Sequence, residues 1–68
     1  MESPIYKKFE IVGTSPLSLS EAILNAVQKA VQVEPGVSWF EVAEIRGRVQ
    51  NGNIDQFQVT VRIGAKIQ

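Results

Sequence analysis

The 68-residue chain contains no cysteine and no histidine. The first absence excludes a disulfide framework, and the two together remove the usual ligands of a structural zinc site. Thiol nucleophiles and imidazole proton shuttles are excluded with them. An excess of one charge is also lacking: seven Lys+Arg offset seven Asp+Glu, for a formal net charge of zero. A chain with no basic excess carries no electrostatic footprint for a phosphate backbone, so nucleic acid is not an expected partner. No stretch approaches the ~18 consecutive apolar residues of a membrane span, and Met1 to Lys8 lacks the apolar run that follows the positive charges of a secretory leader. The expectation is a soluble, cytoplasmic protein with no membrane partner. Aromatics are few: three Phe, one Tyr and one Trp.

What is present reads as one small domain over 1–68. A chain this short buries little apolar surface, and without disulfide or metal its remaining sources of stability are very good packing or a partner subunit. Self-association is therefore expected. Punctuation divides the sequence into a strand over about 5–12, a helix over about 18–33, and strands over about 38–50 and 53–67. In the first strand Phe9 and Ile11 alternate with Lys8 and Glu10, the period-two mark of a half-buried strand. Gly13-Thr14-Ser15-Pro16 is expected to end it. Ser18-Leu19-Ser20-Glu21 has the Ser-x-x-Glu form of a capping box, with Ser18 as N-cap. Behind it Leu19, Ala22, Ile23, Ala26, Val27, Ala30 and Val31 recur at three- and four-residue steps. They form the apolar stripe of an amphipathic helix, which Glu34-Pro35-Gly36 stops.

Asn51-Gly52 is the strongest hairpin signal in the chain, because both residues accept positive φ. A two-residue turn there sets the register: Gln50 faces Asn53, Arg48 faces Asp55, Val42 faces Val61, Glu41 faces Arg62, Phe40 faces Ile63 and Trp39 faces Gly64. Two opposite-charge pairs and two apolar pairs fall into place together. Alternation then collects Phe40, Val42, Phe57, Val59, Val61, Ile63 and Ala65 on one face, which takes the helix. The other face holds Trp39, Glu41, Ala43, Gln58, Thr60, Arg62 and Gly64, with Ile45. The fold class is α+β, a β-α-β-β protomer with one helix against a three-stranded antiparallel sheet.

The open face thus carries the lone tryptophan, Trp39, beside a glycine that leaves room over the backbone. Two uses fit. The commoner is an aromatic anchor in a subunit contact; the other is a stacking surface for a planar ligand. Enzyme chemistry finds little support, since no glycine-rich phosphate loop is present and Glu41 and Glu44 are expected to alternate across the strand rather than face each other.

Read together, Tyr6-Lys7-Lys8, Val12-Gly13-Thr14-Ser15, the capped helix with Glu21-Ala22, Trp39-Phe40-Glu41-Val42, Glu44-Ile45-Arg46-Gly47 and the closing Phe57-Gln58-Val59 with Val61 and Gly64 resemble the dodecins. These are small flavin-binding proteins that assemble as hollow homo-dodecamers. The resemblance runs nearly end to end. It implies a sheet wrapped around its helix, twelve copies in a shell, and flavin (FMN or riboflavin) held at subunit interfaces for storage or sequestration, which limits its photochemistry. It places Trp39 against the isoalloxazine ring, with paired flavins between symmetry-related tryptophans, and Gln58 at the polar edge of the ring.

Arg46 is placed near the phosphate of flavin mononucleotide, or else in an intersubunit ion pair with Glu44 or Glu41. Arg62 and Lys66 share that ambiguity. Ala65 and Lys66 depart from the aromatic residue and arginine frequent in bacterial relatives, which leaves coenzyme A open as a second ligand. The alternative function is an oligomeric shell or interaction module with weak or no flavin binding. In the register above Gln58 pairs with Ile45, six residues from Trp39, or about 20 Å along a strand. Trp39 and Gln58 at one flavin are therefore expected to come from different subunits.

Overall fold

The structure, a computed structural model, describes residues 3–67. Met1, Glu2 and Gln68, the ends of the domain expected over 1–68, lie outside the described residues. The elements follow the order β1 (Tyr6–Ser15), α1 (Leu19–Val33), β2 (Val37–Gln50) and β3 (Asn53–Lys66). They form one three-stranded antiparallel sheet in the order β1-β3-β2, so the last strand of the chain is the central one.

The first strand runs on through Gly13, Thr14 and Ser15, three residues beyond its expected end. Position 13 has room only for glycine because the helix presses on it: a Cβ there would stand 2.0 Å from the carbonyl oxygen of Ala22 and 2.8 Å from the Cβ of Ala26. The alanine stripe and this glycine together let α1 lie close against β1. Ser18 caps the helix, its hydroxyl accepting from the Glu21 amide at 3.0 Å. The reciprocal half of the expected capping box is rerouted through Ser15. That buried hydroxyl donates to Glu21 Oε1 at 2.6 Å and accepts from the amides of Leu17 and Ser18. Strand end and helix start thus share one polar hub, and the strand continues to Ser15 to reach it. At the other end the Glu34 amide donates to the Ala30 carbonyl at 2.9 Å, and Lys7 pairs with the Glu34 carboxylate.

The hairpin turns at Asn51-Gly52, both with positive φ (54° and 77°) as expected. Register is as expected at the turn, where Gln50 opposes Asn53, and again from Val42–Val61 to Trp39–Gly64. Between those segments it is displaced by one residue. Asp55 is the extra residue on β3 and Ala43 the extra residue on β2, two bulges that cancel. The sequence register is corrected accordingly: Arg48 opposes Gln56, Ile45 opposes Val59, and Arg46 opposes Gln58. Arg48 still reaches Asp55 from across the bulge, Nε to Oδ1 at 3.0 Å, and that guanidinium holds the Asp55 carboxyl below its ordinary value.

A one-residue slip moves every side chain to the other face of a sheet. Ile45 therefore belongs with Val59 on the helix side rather than the open face. Glu44 and Arg46 join Trp39 and Glu41 on the open one, so Glu41 and Glu44 do not alternate across the strand.

The core consists of Ala22, Ala26 and Ala30 against Val59, Val61 and Ile63, flanked by Phe9, Ile11, Ile23, Val27, Val37 and Phe57. Each fully buried aliphatic side chain contributes about 1.5–3 kcal/mol, so the core is small. The helix rests mainly on β1 and β3. On the same side of the sheet, β2 leaves Phe40 48% and Ile45 57% exposed. The hairpin makes the protomer 57 Å long and only 14 Å thick, a shape that leaves apolar surface in need of cover. On the helix, Leu19 and Val31, expected on the buried stripe, are exposed as well.

Candidate functional site

Trp39 enters β2 just after Ser38, a bulged residue whose hydroxyl donates to the Gly36 carbonyl at 2.9 Å. Directly opposite residues of an antiparallel pair share a face, so the open side of the sheet carries a row Lys8–Gly64–Trp39 and beside it a row Glu10–Arg62–Glu41. The indole reaches across Gly64. A Cβ on that glycine would stand 2.3 Å from Cε2, 2.3 Å from Cζ2 and 2.5 Å from Cδ2 of Trp39. Cε2 and Cδ2 are the two fusion atoms of the indole and Cζ2 is the next atom of its six-membered ring, and a point this near all three lies over the ring face, not at its rim. One face of the ring is therefore laid on the backbone of β3.

The rim is held too. Trp39 Nε1 donates to Glu41 Oε2 at 2.9 Å, and Lys8 Nζ lies 2.9 Å from that same oxygen. The Lys8 ammonium and then the indole N–H hold the Glu41 carboxyl below its ordinary value. Tyr6 meets the indole almost at right angles, with ring centroids 5.0 Å apart. Trp39 nonetheless keeps 36% of its surface exposed. Such a ring is a platform for a flat partner.

The expected cross-strand charge pair is redistributed. Glu41 and Arg62 are opposite each other, but β1 supplies each with another partner: Arg62 Nε donates to Glu10 Oε2 at 2.7 Å, and Glu41 takes Lys8. The hairpin turn fixes how β2 meets β3 but carries no signal for how β1 meets β3, so sequence reasoning misses Lys8, Tyr6 and Glu41 as neighbours of the ring. The available signal for Glu41 is its i+2 spacing from Trp39, which puts both on one face of a strand.

Gln58 and Arg46 sit side by side further along the same face, in the row Thr14–Gln58–Arg46. Gln58 Nε2 donates to Gln56 Oε1 at 2.7 Å. Arg46 is exposed and makes no ion pair among the described residues. Gln58 is six residue steps along β3 from Gly64 beneath the indole, about 20 Å at the rise of a strand. One chain brings Arg46 and Gln58 together but keeps both away from Trp39. Among the described residues no group of three or more acidic side chains is gathered to hold a metal ion, and no helix is long and apolar enough to cross a membrane.

An open three-stranded sheet with one covering helix, and a single aromatic platform fixed on its bare face, defines a small binding module. Comparison with known proteins names its family. The dodecin family model matches residues 5–68, and a dodecin from Thermus thermophilus is 38% identical over 64 residues, spanning 94% of this chain and 93% of that protein. The structure of dodecin from Streptomyces coelicolor superposes with a TM-score of 0.93 at 35% identity, covering 100% of this chain and 97% of that one. A calcium dodecin from Mycobacterium tuberculosis, a calcium-chelating antigen, matches with a TM-score of 0.81 at 29% identity over 94% of this chain and 91% of its own. The chain belongs to the dodecin family.

Proposed function

We propose that the protein binds flavin, FMN or riboflavin, and stores or sequesters it in a homo-dodecamer, with no catalytic turnover. The observation that carries this reading is the indole of Trp39 laid flat on Gly64, so that the remaining ring face is offered outward. The residues fit the ligand. An electron-rich indole suits the electron-poor isoalloxazine ring, and the Gln58 amide has both a donor and an acceptor for its imide edge. Arg46 is an exposed fork suited to a phosphate. A flavin stacked on indole loses its fluorescence, and shielding its ring face limits its photochemistry.

The spacing of Trp39 and Gln58 favours a site assembled from different subunits. The uncovered apolar surface of β2, with Phe40 and Ile45, supports self-association. A cytoplasmic location, where flavins are abundant, is part of the same reading.

The test is fluorescence titration of the purified protein with riboflavin and FMN, alongside a Trp39→Ala variant and the mass of each in solution. Quenching by the parent, and its loss in a variant of unchanged mass, is expected. A variant that quenches like the parent removes Trp39 from the site, and a parent that does not quench defeats the reading in favour of an oligomeric shell, for which coenzyme A is the next ligand to titrate.

A further inference from the structure

The contacts around Trp39 divide into two kinds. Gly64 is passive, supplying space. Glu41 is directional: its Oε2 accepts the indole N–H at 2.9 Å while Lys8 Nζ, arriving from β1, sits 2.9 Å from the same atom. The carboxylate thus links a side chain of one outer strand to a side chain of the other, above the central strand on which the ring lies. An ion pair this exposed adds little to stability, so its cost in ordering two long side chains is not repaid by the fold. Its other effect is to fix the rotation of the indole within its plane on Gly64.

We infer that Glu41, anchored by Lys8, is a positioning residue that holds Trp39 in its stacking orientation before any ligand arrives. Resting on the flavin reading given above, this explains how a half-exposed tryptophan on an outer strand forms a rigid platform. A side chain already ordered in the free protein loses less conformational freedom on binding, and that saving goes directly into affinity. Glutamine at the same position keeps an oxygen for the indole N–H, whereas leucine keeps only the approximate bulk.

Glu41→Leu, Glu41→Gln and Lys8→Met are compared with the parent by three measurements. These are the tryptophan band of the near-ultraviolet circular dichroism spectrum without ligand, riboflavin titration, and mass in solution. Trp39 is the lone tryptophan, so the band reports it alone. In Glu41→Leu the band collapses and riboflavin binds up to about tenfold more weakly, the scale of ordering one side chain on binding, at unchanged mass. Glu41→Gln restores both. Lys8→Met, with the carboxylate present but unanchored, lies between parent and Glu41→Leu.

The inference is overturned if Glu41→Leu keeps band and affinity, if it loses the band alone, or if Glu41→Gln is no better than Glu41→Leu. Should Glu41→Leu fail to assemble, a parental band and affinity in Lys8→Met overturns it equally. A parent that does not bind riboflavin defeats the flavin reading instead, and the ligand-free band still decides whether Glu41 orders the ring.

Discussion

The ring face of Trp39 lies on the backbone of Gly64, its cross-strand partner, so closely that even a methyl group would stand 2.3 Å from two of its atoms. Ring and backbone must separate in Gly64→Ala. Relieving such a clash costs about 1–3 kcal/mol in a packed setting, less where the ring swings outward. The expected outcome is a large loss of riboflavin binding with a modest fall in the thermal midpoint. A double-mutant cycle checks the cause: in a Trp39→Ala background, Gly64→Ala should cost little further stability, since the atoms it strikes are gone.

Glu41 gives the site a defined response to acid. The Lys8 ammonium, and after it the indole N–H, lower its carboxyl pKa, and the Arg62 charge on β3 acts in the same direction. A group with a depressed native pKa contributes stabilisation above its unfolded value and loses it as pH falls through the native one. The charged groups facing it are Lys8 from β1 and Arg62 from β3, the latter already paired with Glu10. Trp39 emission should therefore hold constant as pH falls through the ordinary carboxylate range and change below it. In Glu41→Gln that step should vanish; a step that survives there belongs to another carboxylate.

How much of this is legible in the sequence depends on whether the pattern is local. Ser18, the alanine stripe and Asn51-Gly52 announce themselves over a few residues, and the helix, its cap and the turn are where they are expected. Trp39 opposite Gly64 is also reached by counting from the turn, although the count passes through an error. Two bulges on opposite strands, at Asp55 and Ala43, shift the register and shift it back. A bulge leaves no mark in such a count, so the residues between them, Ile45, Arg46 and Arg48, receive the wrong partners. Ile45 and Glu44 fall on the wrong faces. The clamp on the indole is hidden for a different reason. Lys8 meets Glu41 only because β1 pairs with the far side of β3, a long-range choice that no short window records. Gly13 misleads as well: it reads as the end of a strand but is there to admit a helix.

That role of Gly13 has its own consequence. A Cβ at this position would meet backbone at 2.0 Å, the carbonyl oxygen of Ala22, as well as the Ala26 methyl. Backbone cannot rotate away as a side chain can, so α1 must lift from β1. Gly13→Ala should cost at least about 1–3 kcal/mol, read as a lower urea midpoint, and lose the assembly before it loses helix content. A neutral outcome would mean that α1 and β1 are further apart in solution.

Arg46 offers a way to separate ligands that share a ring. Glu41 is occupied by Lys8 and Trp39, and Glu44, two residues before Arg46 on the same face, makes no ion pair with it among the described residues. If the guanidinium meets a ligand phosphate, Arg46→Ala should weaken FMN about tenfold, the scale of a charge-assisted hydrogen bond, and leave riboflavin binding unchanged. Equal weakening of both ligands, with a loss of mass, would instead place Arg46 in a contact between subunits.

The separation of Trp39 and Gln58 along the sheet makes the sharpest prediction about assembly. Gln58 and the glycine beneath the indole are six residue steps apart along β3, about 20 Å, more than one flavin ring system spans. Chains carrying Trp39→Ala and chains carrying Gln58→Ala should each bind riboflavin poorly. Mixed in equal amounts, unfolded and reassembled together, they should regain strong sites. If a site takes its tryptophan from one subunit and its glutamine from another, random mixing leaves roughly a quarter of the sites with both native residues. If both came from one chain, every site in the mixture would lack one of them and no strong class would appear. Titration of the co-assembled protein, with its strong-site fraction compared with a mixture of separately assembled variants, distinguishes the two arrangements.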